Sequence, residues 1–360
     1  MAIACSSVCS CGISSRLANS EWSTGSSLPL GLRATTSSSI SRLSKCSVKS
    51  IRVDRISPHA SVSASGSNEV ATNSRAEKES SEVQEAGPSF RFMAEGNMWL
   101  LEFDASGLRV LADPWLVDNQ TFWDQAWLYS GRSESRQKGG FPGDLTMDYV
   151  NSVDALLISQ EWEDHCHLPT LKLLRKDIPV FASPKAAPIV QQLGFTDVRS
   201  VAHGTSSQIP GLQVWATVGG RVGPPWALRE NGFVLQELQS GLRIYYEPHC
   251  SFDEESVRSV SPVDVVITPG RQYKVAGFPL TESVEEAVRL LRILKPQLVV
   301  PIQLTHLEIT GVTAPIVQLI GSVNDFEADL RKAGINARVV VPPLSGHFMH
   351  VELGSRKQAQ

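Results

Sequence analysis

A chain of 360 residues with 42% hydrophobic side chains carries enough apolar material for one large domain or two small ones. Only 19% of its residues are charged and its net charge is −4, which excludes the clustered basic footprint of a nucleic-acid binder. It contains no run of about 18 apolar residues, so no membrane-spanning helix is expected.

Residues 1–60 hold 17 serines, seven Lys or Arg and only two acids, Glu21 and Asp54. Such a Ser-rich, acid-poor, Arg-containing stretch has the composition of an organelle transit peptide. Hydroxyl residues dominate it, as in Thr35-Thr36-Ser37-Ser38-Ser39, and no basic amphipathic helix stands out. We therefore read residues 1–62 as a chloroplast transit peptide and expect the protein in the stroma. A disordered tail is the alternative. The leader takes Cys5, Cys9, Cys11 and Cys46 with it, leaving Cys166 and Cys250, which do not read as a disulfide framework. Residues 63–88 are polar and read as a linker. A folded domain is expected over 89–354, with a short tail at 355–360.

Within that domain, 90–93, 99–103 and 108–112 read as strands, the last two joined by the turn Asp104-Ala105-Ser106-Gly107. Residues 153–158 form an apolar stretch broken only by Asp154, as a strand buried on both faces requires. A short helix at 168–174, a strand at 180–182 and a helix at 184–193 stopped by Gly194 follow. Strands are expected at 213–217, 233–238, 243–246 and 263–268. The helix at 283–294 is the clearest element. Val284, Ala287, Val288, Leu291 and Leu294 form one stripe, Ser283 and Glu286 form a capping box, and Pro296 ends it. A strand at 298–301, a helix at 322–333 and a strand at 337–341 complete the series. No fixed repeat occurs. Strands followed by β-α-β units imply an α/β sandwich with helices outside.

Ionisable residues gather just past three of these strands, where α/β sheets place their ligands. In Ser159-Gln160-Glu161-Trp162-Glu163-Asp164-His165-Cys166-His167, Asp164, His165 and His167 supply one carboxylate and two imidazoles suited to Zn or Fe; a solvated, helix-capping loop is the competing reading. Tyr245-Tyr246-Glu247-Pro248-His249-Cys250 is the second cluster, and Pro301-Ile302-Gln303-Leu304-Thr305-His306 the third. A single Zn or Fe ion could draw on Asp164, His165, His167, Glu247, His249 and His306. Alternatively, the same His and acid groups could form a hydrogen-bond network in place of an ion. Cys166 and Cys250 flank two clusters, as soft ligands, a redox pair or small buried residues.

These motifs resemble the metallo-β-lactamase fold, an αββα four-layer sandwich, in particular a branch similar to ascorbate-6-phosphate lactonase and a plastid and cyanobacterial subgroup of it. The resemblance covers roughly 90–353. It rests on Gly96-Asn97-Met98-Trp99-Leu100-Leu101, on Leu111-Ala112-Asp113-Pro114-Trp115-Leu116, and on the Glu-Asp-His-x-His and Tyr-Tyr-Glu-Pro-His stretches. It implies a metal-dependent hydrolase acting on a small ester, lactone or phosphorylated molecule. The departures are plain. Against the family's H-x-H-x-D-H signature, Gln160 and Trp162 replace the first two histidines, and only Asp164 and His165 match. Thr217-Val218-Gly219-Gly220 offers glycine where the family has its next His, and the final His aligns with Gln303. The first metal position is therefore expected to be lost. For a rebuilt second position, Asp164 or Glu247 would handle the water proton and Tyr246 the oxyanion. The alternative is a catalytically silent member acting as a ligand-binding or assembly factor in the chloroplast.

One further stretch is aromatic. Trp115, Phe122, Trp123, Trp127 and Phe141 surround a polar middle with Arg132, Arg136 and Lys138. It reads either as the mouth of an apolar substrate site or as an insertion packing its own small core. No G-x-x-x-x-G-K loop and no G-x-S-x-G elbow occurs, so nucleotide and serine-esterase chemistry lack their usual parts.

Overall fold

A computed structural model of the chain describes residues 87–133, 136, 141–143, 145–222, 228–304, 307–343 and 346–355. The expected leader, all but the last two residues of the expected linker, His306, Lys138 and the tail beyond Ser355 lie outside the described residues. No helix among the described residues is long and apolar enough to cross a membrane.

Two seven-stranded mixed sheets make up the body. In the first, Met349–Glu352, Ser89–Glu95, Met98–Phe103, Arg109–Ala112, Ala155–Ile158, Val180–Ala182 and Val198–Ser200 lie side by side in that order. In the second the order is Arg338–Val339, Leu298–Ile302, Val265–Pro269, Arg243–Tyr246, Asn231–Glu237, Leu212–Val218 and Ser206–Ile209. Each sheet is half antiparallel, built from hairpins, and half parallel, built from crossovers. The strands Ala155–Ile158, Val265–Pro269 and Leu298–Ile302 are buried at every residue, as parallel strands covered on both faces must be.

Three separate apolar cores define four layers. The central one packs the facing sides of the two sheets, with Phe92, Trp99, Leu101 and Leu157 from the first meeting Phe233, Leu235, Ile244 and Ile267 from the second. A second core lies on the outer face of the first sheet, where Leu171, Ala187 and Val190 of the helices Leu168–Leu173 and Ala186–Gln192 join Leu156 and Val180. A third lies on the outer face of the second sheet. There Val257, Leu290, Leu291, Phe326 and Leu330 come from the helices Glu254–Ser259, Val284–Leu294 and Val323–Lys332. The arrangement is helix, sheet, sheet, helix, the four-layer α/β sandwich that the motifs imply.

Local detail departs from expectation in one place and decides between readings in another. Ser283 caps the helix Val284–Leu294 by position, but its side chain bonds no helix amide and instead meets Glu285, so the capping box is not made. Cys166 belongs to the second core and Cys250 to the third. Both are free and buried, and burial pushes both thiols up, Cys166 to about 12. Small buried residues is thus the reading that the structure favours.

The central core should dominate stability. Phe233→Ala, at a fully buried position facing the other sheet, is expected to cost about 3–5 kcal/mol in chemical denaturation. Trp127→Ala, 64% exposed, should change it by less than about 0.5 kcal/mol.

Candidate functional site

The site forms where strands of both sheets end. Leu111 and Ala112 close a strand, and Asp113 follows in the left-handed region at φ 43°, an excursion a short acid tolerates. The carboxylate is 1% exposed. It accepts Ser159 N at 2.7 Å, Ser159 Oγ at 2.5 Å, His165 Nδ1 at 2.8 Å and Tyr246 Oη at 2.7 Å. Ser159 and His165 come from the loop after Ala155–Ile158. Tyr246 ends the strand Arg243–Tyr246 of the other sheet.

With Nδ1 fixed, His165 turns Nε2 toward Asp164 Oδ2 at 3.4 Å and Asn97 Nδ2 at 3.3 Å. Burial disfavours the imidazolium, but Asp164 and Asp113 outweigh it and raise His165 to about 9. Its ring lies 5.7 Å from that of His249. His249 Nδ1 is 2.9 Å from Gln160 Nε2 and 3.7 Å from Glu247 Oε1. Glu247 is fully buried and accepts backbone amides of Gly220, His249 and Ser251 at 3.2, 3.2 and 2.8 Å. The structure therefore brings Asp164, His165, Glu247, His249 and Tyr246 to one end of the sandwich.

His167 does not join them. It is the N-cap of the helix Leu168–Leu173, with Nδ1 2.9 Å from Thr170 Oγ1 and 3.4 Å from Thr170 N. Its other contacts are the Asn119 backbone and the edge of the Trp115 ring. Burial pushes it down to about 4. Tyr246 holds its hydroxyl between Asp113 and the Asn97 carbonyl, 2.7 and 3.0 Å away, inside the protein rather than toward a reacting group. Asp113, Asn97 and Ser159, which the ionisable clusters do not single out, prove central. An acid closing an apolar strand, as in Leu111-Ala112-Asp113-Pro114, is the signal that points to the first of them.

The aromatic segment packs in part as a small core of its own. Trp115 is buried beneath the Arg136 guanidinium, 3.9 Å from its ring centre, and Arg136 pairs with buried Glu95 at 2.9 Å. Phe122 packs on Tyr129 at 5.1 Å, and the strand Ser130–Ser133 pairs with Leu307–Thr310. Trp123 and Trp127 stay exposed, and Trp123 N bonds Glu163 of the site loop at 3.0 Å.

The residues present do not fit the ion that the family resemblance implies. Among the described residues, no group of three or more His, Cys, Asp or Glu side chains stands together so as to hold a metal ion. Asp164 and His165 meet. The oxygens of Glu247, however, are engaged by amides, and His167 serves as a helix cap apart from the others. Trp162 cannot coordinate, and the amides of Gln160 and Gln303 are poor zinc ligands. Gln303 donates instead to Pro342 O at 2.9 Å.

The two histidines shift in opposite directions, which fixes a pH signature. His165 is raised, so its contribution is complete below about 6.5 and is lost as pH rises through 9. His167 is lowered, so its contribution is complete above about 6.5 and is lost as pH falls through 4. The stability difference between wild type and His165→Asn should shrink toward pH 10, and that for His167→Asn toward pH 4, each by on the order of 3 kcal/mol. Denaturant titrations across that range would show a flat difference if these environments are misassigned.

A family model described as "Beta-lactamase superfamily domain" matches residues 93–303. Among solved structures, an isothiocyanate hydrolase from Delia radicum gut bacteria superposes with a TM-score of 0.51 at 16% identity, covering 72% of this chain and 98% of that one. Igni18, a metallo hydrolase from the archaeon Ignicoccus hospitalis, gives 0.50 at 18%, covering 74% and 99%. The diiron β-hydroxylase CmlA from Streptomyces venezuelae gives 0.50 at 15%, covering 74% of this chain and 54% of its own. No curated protein matches the chain by sequence. These identities establish a shared fold, while the family model spans more than half of the sequence. The chain belongs to the beta-lactamase superfamily domain family, and its fold is the metallo-β-lactamase sandwich.

Proposed function

We propose that this protein binds a small molecule at the open end of the sandwich, as a catalytically silent member of its family in which a hydrogen-bond network replaces the metal centre. The observation that carries this reading is the way the polar groups there are spent on one another. Asp113 takes four donors and Glu247 three backbone amides. Networks satisfied to this degree make a rigid frame. Beside it lies a small pocket past the carboxyl ends of three parallel strands, where open α/β sheets take their ligands. Its walls are chiefly apolar, and its enclosed volume of about 10 Å³ is room for one water, so a ligand would lie across its mouth. Ligand binding or an assembly role in the chloroplast stroma accords with the composition of residues 1–62.

One observation favours a second reading, a hydrolase of a small ester, lactone or phosphorylated molecule with one rebuilt zinc or iron site. A Cβ at Gly220 would lie 3.1 Å from His249 Cβ and 3.3 Å from Glu247 Oε1. His249 thus fills the room beside the glycine that stands where the family resemblance implies a histidine. His165, in turn, is held from behind by a carboxylate, as ligating imidazoles are.

Elemental analysis by mass spectrometry separates the two. Tag-free wild-type chain is expected to carry zinc and iron far below one per chain, no higher than His165→Ala. About one ion per wild-type chain, lost in His165→Ala together with chelator-sensitive turnover of lactones or esters, would replace the first reading by the second.

A further inference from the structure

We propose that Arg271 forms an anion subsite that receives the carboxylate or phosphate of a small acidic molecule, whose apolar part rests on Ile302, Leu304 and Leu319. This deepens the small-molecule reading above. Arg271 lies two residues beyond the strand Val265–Pro269, and its backbone is tied down on both sides. A Cβ at Gly270 would come within 2.7 Å of Pro301 Cβ, so the chain leaves its strand pressed against the neighbouring one. Thr281 Oγ1 donates to the Arg271 carbonyl at 2.9 Å and accepts Tyr273 N at 2.7 Å. None of these bonds uses the guanidinium.

Arg271 lines the pocket with Pro248, Pro269, Tyr273, Ile302, Leu304 and Leu319, and its Nε is buried with no hydrogen-bond partner among the described residues. Arg136 has a carboxylate at its Nε and an aromatic face beneath it, and only its Nη1 is left buried without a hydrogen bond. A buried N–H left unmade calls for a missing partner, and a planar cationic fork with apolar walls suits a bidentate anion. The pocket shares Pro248 with the candidate site, because Glu247 and His249 flank it. At the other side, Tyr273 lies within the field of Asp164.

The test uses the full chain after chelator treatment, with butanoate, butyl phosphate and 1-butanol as probes in calorimetry and thermal shift. We expect at least one anion to bind with a Kd of about millimolar order and to raise Tm, and 1-butanol to do neither. The preferred anion identifies the group. Arg271→Gln should weaken that binding by about tenfold or more while the unliganded chain stays folded. Leu304→Phe, which narrows the pocket with Arg271 intact, should weaken it too. Failure of both anions to bind wild type, or undiminished binding by either variant, overturns the proposal. Metal content is read separately, so loss of the silent-member reading and loss of the Arg271 subsite are distinguishable.

Discussion

The buried carboxylate of Asp113 is the constraint on which the site depends. An ionised acid at 1% exposure is tolerable only with its oxygens fully engaged. Its donors come from three places in the chain. Two belong to the loop after Ala155–Ile158 and fix Ser159 and His165. The third is Tyr246, reaching across from the second sheet. One group therefore sets the orientation of an imidazole and ties the ends of the two sheets together at the site. The left-handed backbone at Asp113 is the local cost of pointing the carboxylate inward.

From that anchor the polar groups run outward in a chain: Asp113 to His165, His165 to Asp164, the His165 ring beside His249, and His249 beside Gln160 and Glu247. The family architecture survives, while its ligand chemistry is redistributed. Glutamine and tryptophan stand where the family resemblance implies ligands, and His249 fills the room beside Gly220. Together they leave a dense, mostly satisfied network. Gln160 Oε1 is an exception, buried without a hydrogen bond.

Much of the fold was legible because its central strands and main helices have strong periodicity. Arg243–Tyr246 and Val180–Ala182 fall where the pattern puts them, and other central elements shift by a residue or two. The short peripheral strands Gln272–Val275, Leu307–Thr310 and Val317–Ile320 escaped notice because they are half exposed, and their pairing depends on tertiary neighbours. The same division governs the site. Asp164, His165, Glu247 and His249 were visible as ionisable clusters past strands. His167 looked like a member, yet Leu168-Pro169-Thr170 after it is a helix start, and capping claimed the ring. The position of Asp113 at a strand end was visible, but its bonding was not, since its partners lie 46, 52 and 133 residues away. Arg271 carries no local signal at all; only the pocket makes it conspicuous.

The strand Met349–Glu352 has a consequence for how this molecule is made. It lies at the rim of the first sheet and pairs Ser89 with Glu352, so almost the earliest and the latest strands of the domain are neighbours. While the chain is being synthesised, Ser89–Glu95 must wait with one side of its backbone unpaired until nearly everything else has emerged. Such long-range closure makes folding slow, and an open rim invites pairing with other chains. The nascent protein is thus most vulnerable to self-association just before completion, and shielding by a chaperone would matter most at that moment.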